Sequence, residues 1–138
     1  ERIKIRVGSA AETGEGIEFP MRGRDIISGL PREITVTDAH IREALDRSIR
    51  TIVDLIKMTL EVTPPELTGD IHERGMLLTG GGSLLRGLDE VISKATKIPV
   101  RIADDPLSAV VRGTGVLLED TALLNEVVIP STRNSKKR

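Results

Sequence analysis

The residues best placed for chemistry are Gly80-Gly81-Gly82-Ser83, where the apolar run Met76-Leu77-Leu78 gives way to three glycines and a serine before an amphipathic segment begins. Removing side chains where a strand passes into a helix leaves backbone N–H groups unhindered, beside a helix N-terminus that carries roughly half a positive charge. An anion or a nucleotide can lie on such an elbow, and Ser83 can cap the helix or offer its hydroxyl to the ligand. The same residues equally fit a tight, serine-capped turn with positive φ angles and no ligand. Two familiar glycine motifs fail. A P-loop requires GxxxxGK[ST], and no Lys-Ser or Lys-Thr follows these glycines. The GxGxxG fingerprint asks for glycine where Leu85 stands. Asp104 falls about 20 residues on, where a dinucleotide fold places its ribose-binding acid, so a dinucleotide-binding oxidoreductase domain remains an alternative.

Few other residues compete. Cysteine is absent, which excludes disulfides, thiolate metal sites and a cysteine nucleophile. His40 and His72 lack metal-ligand spacing, so no metal site is expected in this chain. Asp104 and Asp105 read as helix-capping residues, and Glu61, Glu66, Asp70 and Glu73 as a solvated face. Twenty Lys and Arg against 21 Asp and Glu give a formal charge of −1, with no basic stripe before the last residues. Phe19 is the sole aromatic. Both features exclude nucleic acid, which needs a cationic footprint and often stacking rings. No apolar stretch approaches the roughly 20 residues of a bilayer span, and no signal peptide is visible, so a cytoplasmic setting is the expectation. At 138 residues, 38% of them hydrophobic, the chain can bury one core built from Ile, Leu and Val.

The elements that would position the glycine elbow follow from periodicity. Ile17, Phe19 and Met21 alternate with polar residues, as do Ile34 and Val36 after the turn-like Ser28–Pro31, which predicts an antiparallel pair with Pro20 on an edge or irregular strand. Residues 1–7 fit a strand or the last turns of a helix, ended by Gly8. From Thr37 as N-cap, Ile41, Leu45, Ile49, Ile52, Val53, Ile56 and Leu60 form the stripe of one long helix, stopped by Thr63-Pro64-Pro65. Residues 64–75 read as a short helical turn and loop, with Pro65 near a first-turn position. Two strand–helix units follow, the pattern of a parallel sheet with right-handed crossovers. The first is strand Gly75–Thr79 with a helix carrying Leu84, Leu88, Val91, Ile92 and Ala95. The second is strand Ile98–Ile102 with a helix opening at Pro106 behind Asp105. Gly113 and Gly115 inside that last helix predict close approach to a neighbouring backbone.

The run from Glu73 to Asp120 closely resembles the C-terminal portion of the bacterial actin family MreB, in which "GGG(S/A)LLRGLD" and "DPL…V(A/V)RGTG" are characteristic. "PPEL…DI.ERGM" and the opening "ERIKIRVGSA" fit the same family, so the resemblance covers essentially the whole chain. It implies an α/β, partial actin-like (ribonuclease H-like) fold. Residues 1–36 would be the remainder of a small outer α+β subdomain, residues 37–129 an inner subdomain with parallel strands, and residues 130–138 a disordered basic tail. Gly80, Gly81, Gly82, Ser83 and Leu84 resemble the family's adenosine-binding loop. The segment Glu1, Arg2, Ile3 and Lys4 corresponds to a helix end facing that loop across a cleft, with Glu1 and Lys4 reaching ribose and adenine.

The resemblance implies ATP or ADP as ligand, with Mg2+ held through the family's N-terminal half, whose phosphate-gripping hairpins and catalytic carboxylate this chain lacks. The chain is therefore expected to be inactive as an ATPase alone. It further implies self-association into filaments, cell-wall synthesis and morphogenesis proteins as partners, rod-shape maintenance as the role, and a position at the inner face of the membrane through parts outside this chain. A small-molecule kinase of the same superfamily is the other alternative. An unpaired edge at strand Gly75–Thr79 predicts a chain that is marginal alone or pairs with a second copy.

Overall fold

The structure, a computed structural model, describes residues 2–12, 14 and 16–127, with Arg2 and Thr121 described in their backbone alone. The basic tail expected at 130–138 lies outside the described residues.

The opening segment is a helix, α1 (Arg2–Val7). Gly8 closes it by donating its amide to the Lys4 carbonyl at 2.8 Å. Two strands follow, β1 (Glu18–Arg24) and β2 (Pro31–Thr37), paired antiparallel so that Phe19 faces Val36 and Met21 faces Ile34. This register gathers the four apolar side chains on one face, as the alternation requires. Pro20 lies opposite Thr35 in a two-stranded ribbon, where each strand has one unpaired edge and the missing N–H is tolerated.

Asp25 organises the turn between these strands. One carboxylate oxygen accepts from the amides of Ile27 at 3.0 Å and Ser28 at 2.8 Å, and the other accepts from Arg32 at 3.0 Å. The Ser28 amide, followed by the Arg32 guanidinium, holds this carboxyl down to about 2. Because the folded value lies below the ordinary value of about 3.9, the stabilisation is fully present above about pH 4 and is lost as pH falls through 2. A carbon-detected NMR titration is expected to give an Asp25 midpoint near 2. A midpoint at the ordinary carboxylate value would show that these bonds do not persist in solution.

Thr37 then starts α2 (Asp38–Glu61). Its hydroxyl accepts from the His40 amide at 3.3 Å while His40 Nδ1 accepts from the Thr37 amide at 3.2 Å, a reciprocal cap that satisfies two orphan donors. The apolar stripe faces inward at its centre, where Ile49 and Val53 are buried. Next come α3 (Pro65–Arg74), β3 (Met76–Leu78), a 3-10 turn (Gly81–Leu84), α4 (Leu88–Thr96), β4 (Val100–Ile102), α5 (Ala109–Glu119) and α6 (Thr121–Val127). Strands β3 and β4 run parallel, Met76 beside Val100 and Leu78 beside Ile102, with α4 as the crossover. Ile92 and Leu88 of α4 meet Ile49, Val53 and Ala10 in the core, flanked by Met76, Leu78 and Val100 of the strands.

Three local expectations change. The segment after Pro65 is a ten-residue helix rather than a turn and loop, because a proline at the first helical position is already set to helical φ and lacks only an N–H that would be unpaired there. Helix α5 opens at Ala109, not at Pro106, since Asp105 accepts from the Ser108 amide at 3.3 Å and from its hydroxyl, closing a turn of its own first. Gly113 and Gly115 face open space, with no atom within 4 Å of an added Cβ, so close backbone approach does not account for them among the described residues. The apolar surface is also not closed, for Leu77 of β3 and Val110 and Val116 of α5 remain exposed.

Candidate functional site

The glycine elbow lies at the carboxyl end of β3, where ligands of open α/β sheets gather. Its conformation starts with Gly80, whose φ of 80° and ψ of 170° fall where essentially glycine alone is at ease. Gly80 is pinned on both sides. Its amide donates to the Pro106 carbonyl at 2.6 Å, and its carbonyl accepts from the Ser83 amide at 3.2 Å and the Ser83 hydroxyl at 2.7 Å. Ser83 is consequently buried. Its hydroxyl hydrogen is directed at this carbonyl, so the residue braces the turn. It does not cap the following helix, whose N-cap is Gly87.

The turn itself is open. Gly81 and Gly82 are exposed, and their amides stand at the start of the 3-10 turn, outside its own hydrogen bonds. An added Cβ at Gly82 would meet nothing within 4 Å, and one at Gly81 would meet only the tip of Leu107 at 3.4 Å. Leu84 is 54% exposed and Leu107 is 69% exposed, so two aliphatic side chains flank bare main chain. This combination can receive a flat, partly apolar ring system against its surface.

The helix expected to grow directly out of the elbow begins later. Leu84 belongs to the 3-10 turn, and α4 starts only at Leu88 after Gly87. Gly87 adopts φ 72°, and a Cβ there would lie 2.6 Å from that of Ala11, so both its handedness and its bareness are required.

Of the second expected wall, Glu1 lies outside the described residues, and Arg2, Ile3 and Lys4 lie in α1. Ile3 is half-buried and Lys4 exposed. The structure joins this wall to the elbow at its base. A Cβ at Gly8 would lie 3.1 Å from the Leu85 side chain, Ala10 donates its amide to the Arg86 carbonyl at 2.7 Å, and Ser9 bridges to Arg86 in parallel. Ile3 and Lys4 sit one turn above that joint. The sequence did not single out Pro106, Leu107 or Arg86. The first two follow Asp105 in a segment that reads as a helix start, and only the tertiary fold brings them to the glycines.

Asp104 and Asp105 follow strand β4 and line a separate recess of about 530 Å³ shared with Leu77, Arg112 and Val116. The Ser108 hydroxyl bonded to Asp105 is the main cause holding its carboxyl below the usual carboxylate range, which suits a turn cap rather than a proton acceptor at neutral pH. Among the described residues, no group of three or more His, Asp or Glu could hold a metal ion. No described helix is long and apolar enough to cross a membrane.

Comparison with known proteins bears on this geometry. The MreB/Mbl protein family model matches residues 1–126. The cell shape-determining protein Mbl of Bacillus subtilis is 47% identical over 120 residues, 87% of this chain and 36% of that protein. The cell shape-determining protein MreB of Escherichia coli is 49% identical over 119 residues, 86% of this chain and 34% of that protein. Among solved structures, MreB5 of Spiroplasma citri bound to ADP superposes with a TM-score of 0.84 at 36% identity, covering 91% of this chain and 38% of that one. The same protein bound to AMPPNP gives 0.83 at 35% identity. The chain thus spans about a third of the length of the curated relatives it matches.

Proposed function

The chain belongs to the MreB/Mbl family and carries part of its actin-like fold, and on that premise we propose that it supplies the adenosine-side wall of a nucleotide site in a filament-forming, cell shape-determining protein. The observation that carries this reading is the exposed, side-chain-free turn at Gly81 and Gly82, braced from behind by Ser83 and Pro106 and flanked by Leu84 and Leu107. A base and ribose would lie along Gly80–Leu84, with α1 as the facing wall and Glu1 and Lys4 reaching the sugar and base. One related protein of the family, MreB5 of Spiroplasma citri, crystallises with ADP and with AMPPNP, which supports an adenine nucleotide as the ligand.

In the complete assembly the phosphates and Mg2+ would be held by the family's other half, so this chain binds and orients the nucleoside without cleaving the nucleotide. Residues 1–36 act as the outer piece and residues 37–129 as the inner one. Subunits stack head to tail in contacts that propagate without closing. They serve rod shape from the cytoplasmic face of the membrane, alongside cell-wall synthesis proteins. The kinase and oxidoreductase alternatives draw no support from the relatives, all of the matched curated proteins named above being shape-determining.

Titrating ADP into isotope-labelled chain and following backbone amide shifts tests the site. The expected result is saturable movement concentrated at Gly80–Leu84 and in α1. Shifts confined to the Asp104–Arg112 recess, or none at millimolar ADP, would remove the reading.

A further inference from the structure

We propose that Arg86 is a positioning residue that fixes the distance between the two walls of the nucleoside site, an inference that rests on the reading of Gly80–Leu84 as one of those walls. Arg86 follows the elbow closely in the chain, yet its side chain works on the other wall. Its Nε donates to the Gly8 carbonyl at 3.2 Å and its Nη2 to the Arg6 carbonyl at 3.2 Å. These carbonyls end α1, where a helix leaves its last acceptors unpaired and its dipole favours a cation. A guanidinium meets both needs with a rigid fork of donors that lysine does not have.

The main chain of the same residue completes the joint. Its carbonyl accepts from the Ala10 amide at 2.7 Å, beside the Ser9 hydroxyl, whose nearer acceptor is the Ala11 carbonyl. Val7 and Ser9 are fully buried beneath this strap. Gly87 next to it allows Ala11 to close in. Helix α1 is described over Arg2–Val7 and also packs on β1, with the Arg6 guanidinium 5.8 Å from the centre of the Phe19 ring. The joint ties the C-terminal end of α1 to the segment after the elbow, and Arg86 is the residue whose side chain and backbone both enter it. The Nε and Nη2 bonds go to the end of α1, so through them its influence on a nucleoside would pass by way of the position of α1.

The test compares Arg86→Ala, Arg86→Lys and Ile56→Val, the last weakening the core at the far end of α2, in the full chain. ADP affinity, hydrogen exchange of the α1 amides and urea stability are measured for each. Arg86→Ala is expected to weaken ADP about tenfold, the size of losing charge-assisted bonds that order one wall, and to speed exchange in α1. Arg86→Lys should recover part of both, because it keeps the charge but not the fork. Ile56→Val should lower stability while leaving ADP affinity within about twofold, since distant sites act independently. Unchanged ADP affinity in Arg86→Ala beside a binding wild type would overturn the positioning role alone. So would equal losses in Ile56→Val. A wild type that does not bind ADP would overturn the nucleoside wall and the role of Arg86 together, and faster α1 exchange in Arg86→Ala would then mark the joint as structural only.

Discussion

Replacing Ile92 with alanine is expected to cost about 4 kcal/mol, the range found when a fully buried branched side chain leaves a cavity. Ile92 is 1% exposed and lies at the contact of α4 with α2 and the two parallel strands. It shares the buried cluster with Ile49 and Val53 of α2, and Met76 and Val100 of the strands pack against that cluster. Short strands and a two-stranded sheet have little backbone pairing with which to compensate. Total stabilities of small domains are about 5–15 kcal/mol, so this one change removes much of the margin. Urea unfolding of Ile92→Ala against Val116→Ala, a truncation at a site 59% exposed, checks it. The exposed change should stay within about 0.5 kcal/mol. An Ile92→Ala loss below about 1 kcal/mol would show that the core does not centre on α4.

The elements with a strong period are legible in the sequence. The stripe from Ile41 to Leu60, with Thr37 before it and Pro64 after it, contains the information for α2 because burial, cap and stop all act within a few residues. The hairpin is equally local, since Phe19, Met21, Ile34 and Val36 need only a turn to reach one face. Illegible features depend on remote partners. Leu84 and Leu85 continue the stripe of α4 in the sequence, yet the helix waits until Leu88 because Gly87 must turn left-handed against Ala11, a residue from the start of the chain. Residues 1–7 carry an alternation that also fits a strand, and the family resemblance rather than the local pattern implies the helix seen over Arg2–Val7.

The site was half legible in the same sense. Three glycines at a strand end announce bare main chain, and the structure places Gly81 and Gly82 in the open. The role of Ser83 was not legible. A serine before a helix reads as a cap, whereas here the chain turns through a 3-10 segment and the hydroxyl falls back onto Gly80. Pro106 and Leu107 join the elbow through the parallel pairing of β3 with β4, which no local pattern specifies.

The second large effect concerns that elbow. Gly82 differs from its neighbour Gly80 in one decisive respect, for its φ is not positive and a side chain there meets no atom. A leucine at Gly82 should therefore fold without strain, shifting stability by no more than about 0.5 kcal/mol, as an exposed substitution away from special backbone geometry does. The same leucine would project into the space that a base and ribose must occupy if they lie on bare main chain. Losing that contact is expected to weaken ADP about a hundredfold, near 2.7 kcal/mol at about 1.4 kcal/mol per decade. Leucine at Gly80 would be no substitute, because its φ of 80° adds strain and confuses unfolding with lost binding.

Calorimetric titration of ADP into the wild-type chain and Gly82→Leu, at matched urea stability, therefore measures the nucleoside wall directly. A wild type that binds and a Gly82→Leu variant weakened about a hundredfold is the predicted pair. Equal affinities in the two proteins would mean that the nucleotide lies elsewhere and that the open glycines serve only as a turn.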